Sequence, residues 1–165
     1  MSKTKQSHKL LTALTALLLI FTLSACSFNG GRSVAEYVDT VRDDTRKAVN
    51  ITRDIRKQQE TLDCRNKDDA KKLIASLDEL SSLYTELSKL DSPDRYTDLD
   101  EEIKTNSETA LGCVSQLKTL ASTAMNTGDD TFYKQEYAGI TEEYDAAFNI
   151  LVDISSQVTT RFRND

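Results

Sequence analysis

Apolar residues in this chain recur in steps of three and four along most of its length from residue 34 to residue 158, which is the spacing of one face of an α-helix. Valine and isoleucine are scattered rather than alternating with polar residues, so strand signals are nearly absent. Glycine occurs five times and proline once in 165 residues, so few positions would interrupt a helix. The sequence therefore predicts an all-α protein.

The periodic stretches form four segments separated by short connections. Their predicted limits are about 33–62, 67–91, 93–126 and 130–163. Connections of about two to five residues favour antiparallel neighbours, because a short turn returns the chain alongside the helix that it has just left. We therefore predict an antiparallel up-down-up-down four-helix bundle with coiled-coil-like packing.

Residues that begin and end helices lie at the predicted boundaries. Ser33 opens the sequence Ser-Val-Ala-Glu, which has the spacing of a capping box. Pro93, preceded by a serine, is predicted at the first position of the third helix, where a missing amide costs nothing. Gly128 is predicted to cap the C-terminus of that helix. Either Asp129 or Asp130 is then expected to cap the N-terminus of the fourth.

Some predicted core positions are polar or aromatic. The polar positions beside the seam of the first helix are Thr45, Thr52 and Gln59. In the third helix, Asn106 falls at a predicted core position, where its amide would either fix the register of the helices or form the floor of a pocket. The apolar face of the fourth helix is predicted to include Phe132, Phe148 and Phe162.

Residues 1–25 differ in composition from the rest of the chain. Three lysines and no acid precede residue 10, and residues 10–23 are apolar apart from three threonines. This is the layout of a secretory signal peptide. A transmembrane helix needs about 20 apolar residues, whereas this run is shorter and ends in small residues.

The segment closes with Leu23-Ser24-Ala25-Cys26, which resembles the lipobox of bacterial lipoproteins. The resemblance implies cleavage before Cys26 and attachment of diacylglycerol to its sulfur. Residues 1–25 would then be a signal peptide, 26–32 a lipidated cysteine with a short linker, and 33–165 a helical-bundle domain. It also implies an extracytoplasmic protein anchored to the bacterial cell membrane, with inner or outer membrane left open. The alternatives are an ordinary secretory signal and an uncleaved anchor helix.

The turn between the second and third predicted helices carries a further likeness. Its apolar and turn residues are Leu87, Leu90, Ser92, Pro93, Tyr96 and Leu99. This pattern is similar to the helical hairpins of small lipoproteins from Gram-positive bacteria. The likeness implies no activity and no site.

Charge and the placement of histidine exclude several classes of function. Without residues 1–25 the chain has 18 basic and 27 acidic residues, a net charge of −9, so binding to nucleic acid is not expected. The one histidine, His8, lies in the signal-like segment, so the exported part would lack any histidine-based triad or metal site. We expect no cofactor, no metal and no enzymatic activity.

Two cysteines remain once Cys26 carries lipid. Cys64 lies in the predicted first connection and Cys113 in the third helix, in no metal or redox spacing. Outside the cytoplasm such a pair favours a disulfide over two free thiols. The sequence predicts a Cys64–Cys113 bridge, with two free thiols as the alternative.

Two sets of residues are candidates for binding. The first shares one face of the first helix and consists of Arg42, Arg46, Arg53 and Arg56. It is either a solvated face or a contact for anionic head groups or wall polymer. The second shares the apolar face of the fourth helix and consists of Tyr133, Tyr137 and Tyr144. It is either core packing or a ligand groove whose hydroxyls orient a small molecule.

We expect a lipid-anchored interaction module that binds a protein or an envelope polymer at the cell surface. The alternative is a small-ligand-binding lipoprotein that uses the tyrosine groove. The membrane is the one partner implied by the lipobox, and the sequence leaves the oligomeric state open.

Overall fold

The computed structural model describes residues 32–63 and 65–164, without the side chain of Phe132. The predicted signal peptide and lipidated Cys26 lie outside the described residues, and so does Cys64. The described part contains four α-helices and a single 3₁₀ turn, with no strand. The elements are α1 (Val34–Glu60), α2 (Lys67–Ser88), the 3₁₀ turn (Asp94–Tyr96), α3 (Thr97–Thr127) and α4 (Thr131–Arg163). The prediction of an all-α four-helix bundle is confirmed.

Helix α1 begins where the capping box predicts. The amide of Glu36 donates to Ser33 Oγ at 3.3 Å, and the amide of Ser33 donates to Glu36 Oε2 at 3.0 Å. The amide of Ser33 and its hydroxyl, which donates to the same oxygen at 2.9 Å, lower the pKa of Glu36, because they stabilise its charged form. Two of the free amides at the helix start are satisfied in this way.

The connection between α2 and α3 differs from the prediction. Pro93 is extended, with φ −63° and ψ 148°, and it precedes the 3₁₀ turn, so α3 begins at Thr97 rather than at the proline. Tyr96, at the end of this turn, is fully buried and its ring lies 5.3 Å from that of Tyr37. The 3₁₀ turn sets the direction of the Tyr96 side chain so that its ring packs against Tyr37. An α-helix begun at Pro93 would point this side chain in another direction.

The predicted glycine cap is confirmed. Gly128 has a positive φ of 67°, and its amide donates to the carbonyl of Ala124 at 2.8 Å. Asp130 occupies the N-cap position of α4 without a side-chain capping bond, and it pairs with Lys134. The capping carboxylate belongs to Asp129, whose Oδ1 accepts the amide of Thr131 at 2.9 Å.

The core follows the predicted seams with two corrections. Asn106 is only half-buried, and its side chain donates to the carbonyl of Glu102. Ser107 takes the core position instead, because the buried face steps by four residues after Ile103 rather than by three. Phe162 is 41% exposed and contributes little to the core, whereas Phe148 is buried.

Contacts between side chains show how neighbouring helices pair. Near the end of α1, Gln59 Nε2 donates to Tyr133 Oη at 3.0 Å, close to the start of α4. At the other end of the bundle, Arg161 in the last turn of α4 donates to Asp98 in the first turn of α3. Over these contacts α4 runs opposite to both α1 and α3.

Candidate functional site

A buried chain of hydroxyls joins three helices at mid-height. Tyr144 Oη of α4 lies 2.6 Å from Thr52 Oγ1 of α1 and 2.7 Å from Tyr84 Oη of α2. Burial raises the pKa of Tyr144 to about 12 and that of Tyr84 further, because the charged phenolate is poorly solvated there. The hydroxyl of Tyr144 therefore forms its hydrogen bonds inside the core.

A groove opens between the end of α1 and the start of α4. We call it the distal groove, because it lies at the end of the bundle opposite Ser33. Its volume is about 390 Å³, within the range of small-molecule sites. It is lined by Arg56, Gln59, Glu60, Leu62, Asp130, Tyr133, Lys134, Tyr137, Thr141 and Asp145.

Two stacked aromatic rings form one wall of the distal groove. The centroids of Tyr133 and Tyr137 lie 5.6 Å apart, with an interplanar angle of 20°. Gln59 holds both rings, since its Nε2 donates to Tyr133 Oη and its Oε1 accepts from Tyr137 Oη. Of the three predicted tyrosines, these two line the groove. A single amide fixes their orientation, and fixed rings lose little entropy on binding.

The charges around the distal groove are mixed and largely paired. Arg56 donates to Asp145 at 2.6 Å, and Lys134 pairs with Asp130 within α4. With Glu60 the lining has two cationic and three anionic side chains, so this groove has no preference for anions. Its chemistry instead combines aromatic faces with hydrogen-bonding groups of both kinds.

The four arginines of the predicted anion face have different surroundings. Arg56 belongs to the distal groove, and Arg42 forms ion pairs with Asp39 at 2.8 Å and Asp43 at 3.1 Å. Arg46 and Arg53 are exposed and have no ion pair with any described residue.

A second groove lies between the first half of α1 and the second half of α4, and we call it the arginine groove. Its volume is about 390 Å³. Its lining residues are Arg42, Thr45, Arg46, Val49, Val152, Ser155, Ser156, Thr159, Thr160 and Arg163. Sequence reasoning missed Arg163 as a member, since no spacing along the chain relates it to Arg46.

The predicted disulfide has no counterpart among the described residues. Cys113 is a free thiol there and is 1% exposed, and burial raises its pKa. Cys64 lies outside the described residues, so the bridge stays a prediction.

Other features of the described residues bear on function. No group of three or more metal-ligating side chains converges in this part of the chain. Within the same part, no helix is both long enough and apolar enough to cross a bilayer.

Comparisons with known proteins found no match. No family model, no curated protein and no solved structure is significantly similar to this chain.

Proposed function

We propose that this protein is a lipid-anchored, extracytoplasmic binding module without enzymatic activity, which recognises a protein or an envelope polymer through its distal groove. The stacked pair Tyr133 and Tyr137, held by Gln59 at the end of the bundle opposite Ser33, carries this proposal. Aromatic residues of fixed orientation are favoured at recognition surfaces. Tyr137 is the half-buried member of the pair and has area left to bury on binding, while Tyr133 is 4% exposed and supports it from the core.

The position of the distal groove suits a tethered protein. The linker from Cys26 to Ser33 reaches at most ~25 Å when extended, and α1, with 27 residues, adds about 40 Å along the bundle. The groove lies near the end of this helix, at the end of the domain opposite Ser33, where the linker joins. A partner in the envelope could therefore be reached without contact with the bilayer.

The ionisable groups of the groove support binding rather than catalysis. Arg56 and Asp145 neutralise each other, and so do Lys134 and Asp130. No histidine lies between residues 26 and 165 to act as a general base near neutral pH. Paired charges of this kind give specificity to an interface by excluding partners with the wrong charge pattern.

The anchor is tested by replacing Cys26. Metabolic labelling with a fatty-acid analogue should mark the wild-type chain and leave Cys26→Ala unlabelled, with the variant released from the membrane fraction. Cys113→Ala serves as the control and should keep its label. An unlabelled wild-type chain would rule out lipid anchoring.

The recognition surface is tested by photo-crosslinking in intact cells. A photoreactive amino acid at Glu60, on the rim of the distal groove, should give a discrete adduct that mass spectrometry can identify. The matched position is Glu79, an exposed glutamate of α2 away from the groove. Tyr137→Ala should weaken the Glu60 adduct. The same adducts from both positions, or none from Glu60, would contradict the proposal.

A small ligand is the second candidate occupant, favoured by the volume of the groove and its stacked rings. Such a ligand would raise the unfolding temperature of the full chain in proportion to the logarithm of its concentration. The low-molecular-mass fraction of a cell extract provides the probe. A shift that Tyr137→Ala abolishes would favour the small ligand, and no shift together with a specific Glu60 adduct would favour a macromolecular partner.

A further inference from the structure

The arginine groove differs from the distal groove in its charge. Arg42, Arg46 and Arg163 line it, and among the described residues no carboxylate does. Arg46 and Arg163 are exposed and form no ion pair with another described residue. Even when the two carboxylates that bind Arg42 are counted, the local charge is positive, on a chain whose overall charge is negative.

The floor of the arginine groove contains two largely buried residues whose hydroxyls are accessible from the groove. Thr45 is 6% exposed and Ser155 is 8% exposed, and neither side chain makes a hydrogen bond to any described residue. Most threonine hydroxyls among the described residues donate to a backbone carbonyl, as Thr159 does to Ser155. Two free donors on the floor of a basic groove are suited to an anionic oxygen.

We infer that the arginine groove binds a phosphate group, with Arg46 and Arg163 at its rim and the hydroxyls of Thr45 and Ser155 at its floor. Guanidinium groups bind phosphate oxygens by paired, charge-assisted hydrogen bonds, and neutral hydroxyls complete the coordination without repelling the anion. The two arginines come from different helices, so a phosphate between them would bridge α1 and α4.

The phosphate could belong to a lipid head group or to a soluble phosphate ester. The groove is lined by the first half of α1 and the end of α4, which is the half of the bundle that includes Ser33. This inference does not depend on the distal groove, and its failure would leave the proposed recognition surface intact.

Binding is measured by calorimetry on the full chain in a neutral detergent, with three probes. Glycerol 3-phosphate supplies the phosphate on a soluble ester, and dihexanoyl phosphatidylglycerol supplies it on an anionic lipid. Dihexanoyl phosphatidylcholine carries the same phosphate beside a cationic choline, so its net charge is zero and it should bind more weakly than phosphatidylglycerol. We expect binding of at least one of the first two probes, and weaker binding as salt is raised. Phosphatidylglycerol alone would identify a lipid source, and equal binding of both would show that the phosphate group suffices.

Substitutions at the rim and the floor test whether the arginine groove is the phosphate-binding site. Arg46→Gln and Arg163→Gln should each weaken binding by about tenfold or more, because each removes a charged hydrogen bond. Arg53→Gln is the matched control, since Arg53 is exposed on the same helix face and lines neither groove. Thr45→Val should weaken binding and Thr45→Ser should restore it. Equal effects of all three arginine variants, or no binding by the wild-type chain, would overturn the inference.

Discussion

Tyr144 joins three helices through one hydroxyl, and the stability of the bundle should depend on it. Tyr144→Phe leaves Thr52 and Tyr84 without their shared partner in a buried site. The cost of such orphaned groups is about 1 to 3 kcal/mol, so we expect the free energy of unfolding in urea to fall by that amount.

A double-mutant cycle separates the shared hydrogen bond from simple loss of an atom. With Thr52→Val in the same chain, Tyr144→Phe should cost less than it does alone, because the hydroxyl of Thr52 is then no longer left unpaired. Strict additivity of the two substitutions would show that Thr52 and Tyr144 are not coupled.

Single residues also show where sequence patterns fail. Asn106 and Ser107 are adjacent in α3, and steps of three and four allow either to face the core. The fold selects Ser107, fully buried with an unpaired Oγ, and leaves Asn106 on the half-exposed side. An amide is larger than a hydroxyl and has more polar atoms to satisfy, so the smaller group costs less at this position. Helical spacing alone cannot predict this choice, because it contains no information on the size or polarity of the two side chains.

At the scale of the element, two glycines should respond oppositely to alanine. Gly128 has a positive φ at the end of α3, so Gly128→Ala should destabilise the fold by about 1 kcal/mol. Gly139 lies within α4 and is exposed, and a Cβ added there would meet no heavy atom within 4 Å, so Gly139→Ala should stabilise by about 0.5 to 1 kcal/mol. Both changes in the free energy of unfolding are to be measured by urea denaturation. Stabilisation by Gly128→Ala would contradict the assigned cap.

The first turn of α3 and the last turn of α4 are clamped by a charged pair. Both terminal nitrogens of Arg161 donate to the carboxylate of Asp98, at 2.8 and 2.9 Å, and these bonds lower the pKa of Asp98 from 3.8 to about 2. The stabilisation is therefore complete above pH ~4 and is lost as the pH falls toward 2.

Asp98→Asn should flatten the pH dependence of stability in that window. The measurement is urea denaturation at a series of pH values from about 2 to 5. Asp153→Asn, at an exposed position of α4 without an ion pair to any described residue, is the control and should leave the curve unchanged. A curve for Asp98→Asn that superposes on that of the wild type would show that the clamp contributes nothing.

Helix termini are predictable where one local motif is sufficient. Ser33 with Glu36, and Gly128 by itself, each satisfy backbone groups within a single turn, so their signals are visible in the sequence. The predicted position of Pro93 is wrong because the start of α3 depends on Tyr96 packing against Tyr37. That contact joins residues from different elements and leaves no local signal.

The whole molecule should resist moderate alkali and then unfold together with ionisation of its tyrosines. Desolvation raises the pKa of Tyr37, Tyr84, Tyr137 and Tyr144 above the ordinary value of 10.0. The unfolded chain ionises these groups near pH ~10, so stability declines as the pH rises beyond that value. Phenolate absorbance and helical circular dichroism should change in one transition. Full phenolate absorbance in a chain that is still helical would contradict the burial of these rings.

For the molecule as a whole, periodicity predicts the fold class and one of the two candidate sites, the tyrosine pair of the distal groove. In each of the four helices the apolar spacing recurs over several turns, so an error at any one residue does not change the predicted helix. Tyr133 and Tyr137 can be placed together from the sequence because they lie one turn apart on α4. Arg46 and Arg163 line the same groove only because α1 packs beside α4, and no pattern within one helix predicts that.

Helix α1 is the first element after the linker, so a pull on a membrane-attached Cys26 would enter the domain through Ser33. The bonds from α1 to α4 lie at several heights, at Thr52, Arg56 and Gln59. Tension between the membrane and a partner at the far end would load these bonds in parallel, in shear, rather than one after another as in peeling. Under the proposed lipid anchor, such a force would therefore act along the length of the domain rather than unravel it from Ser33.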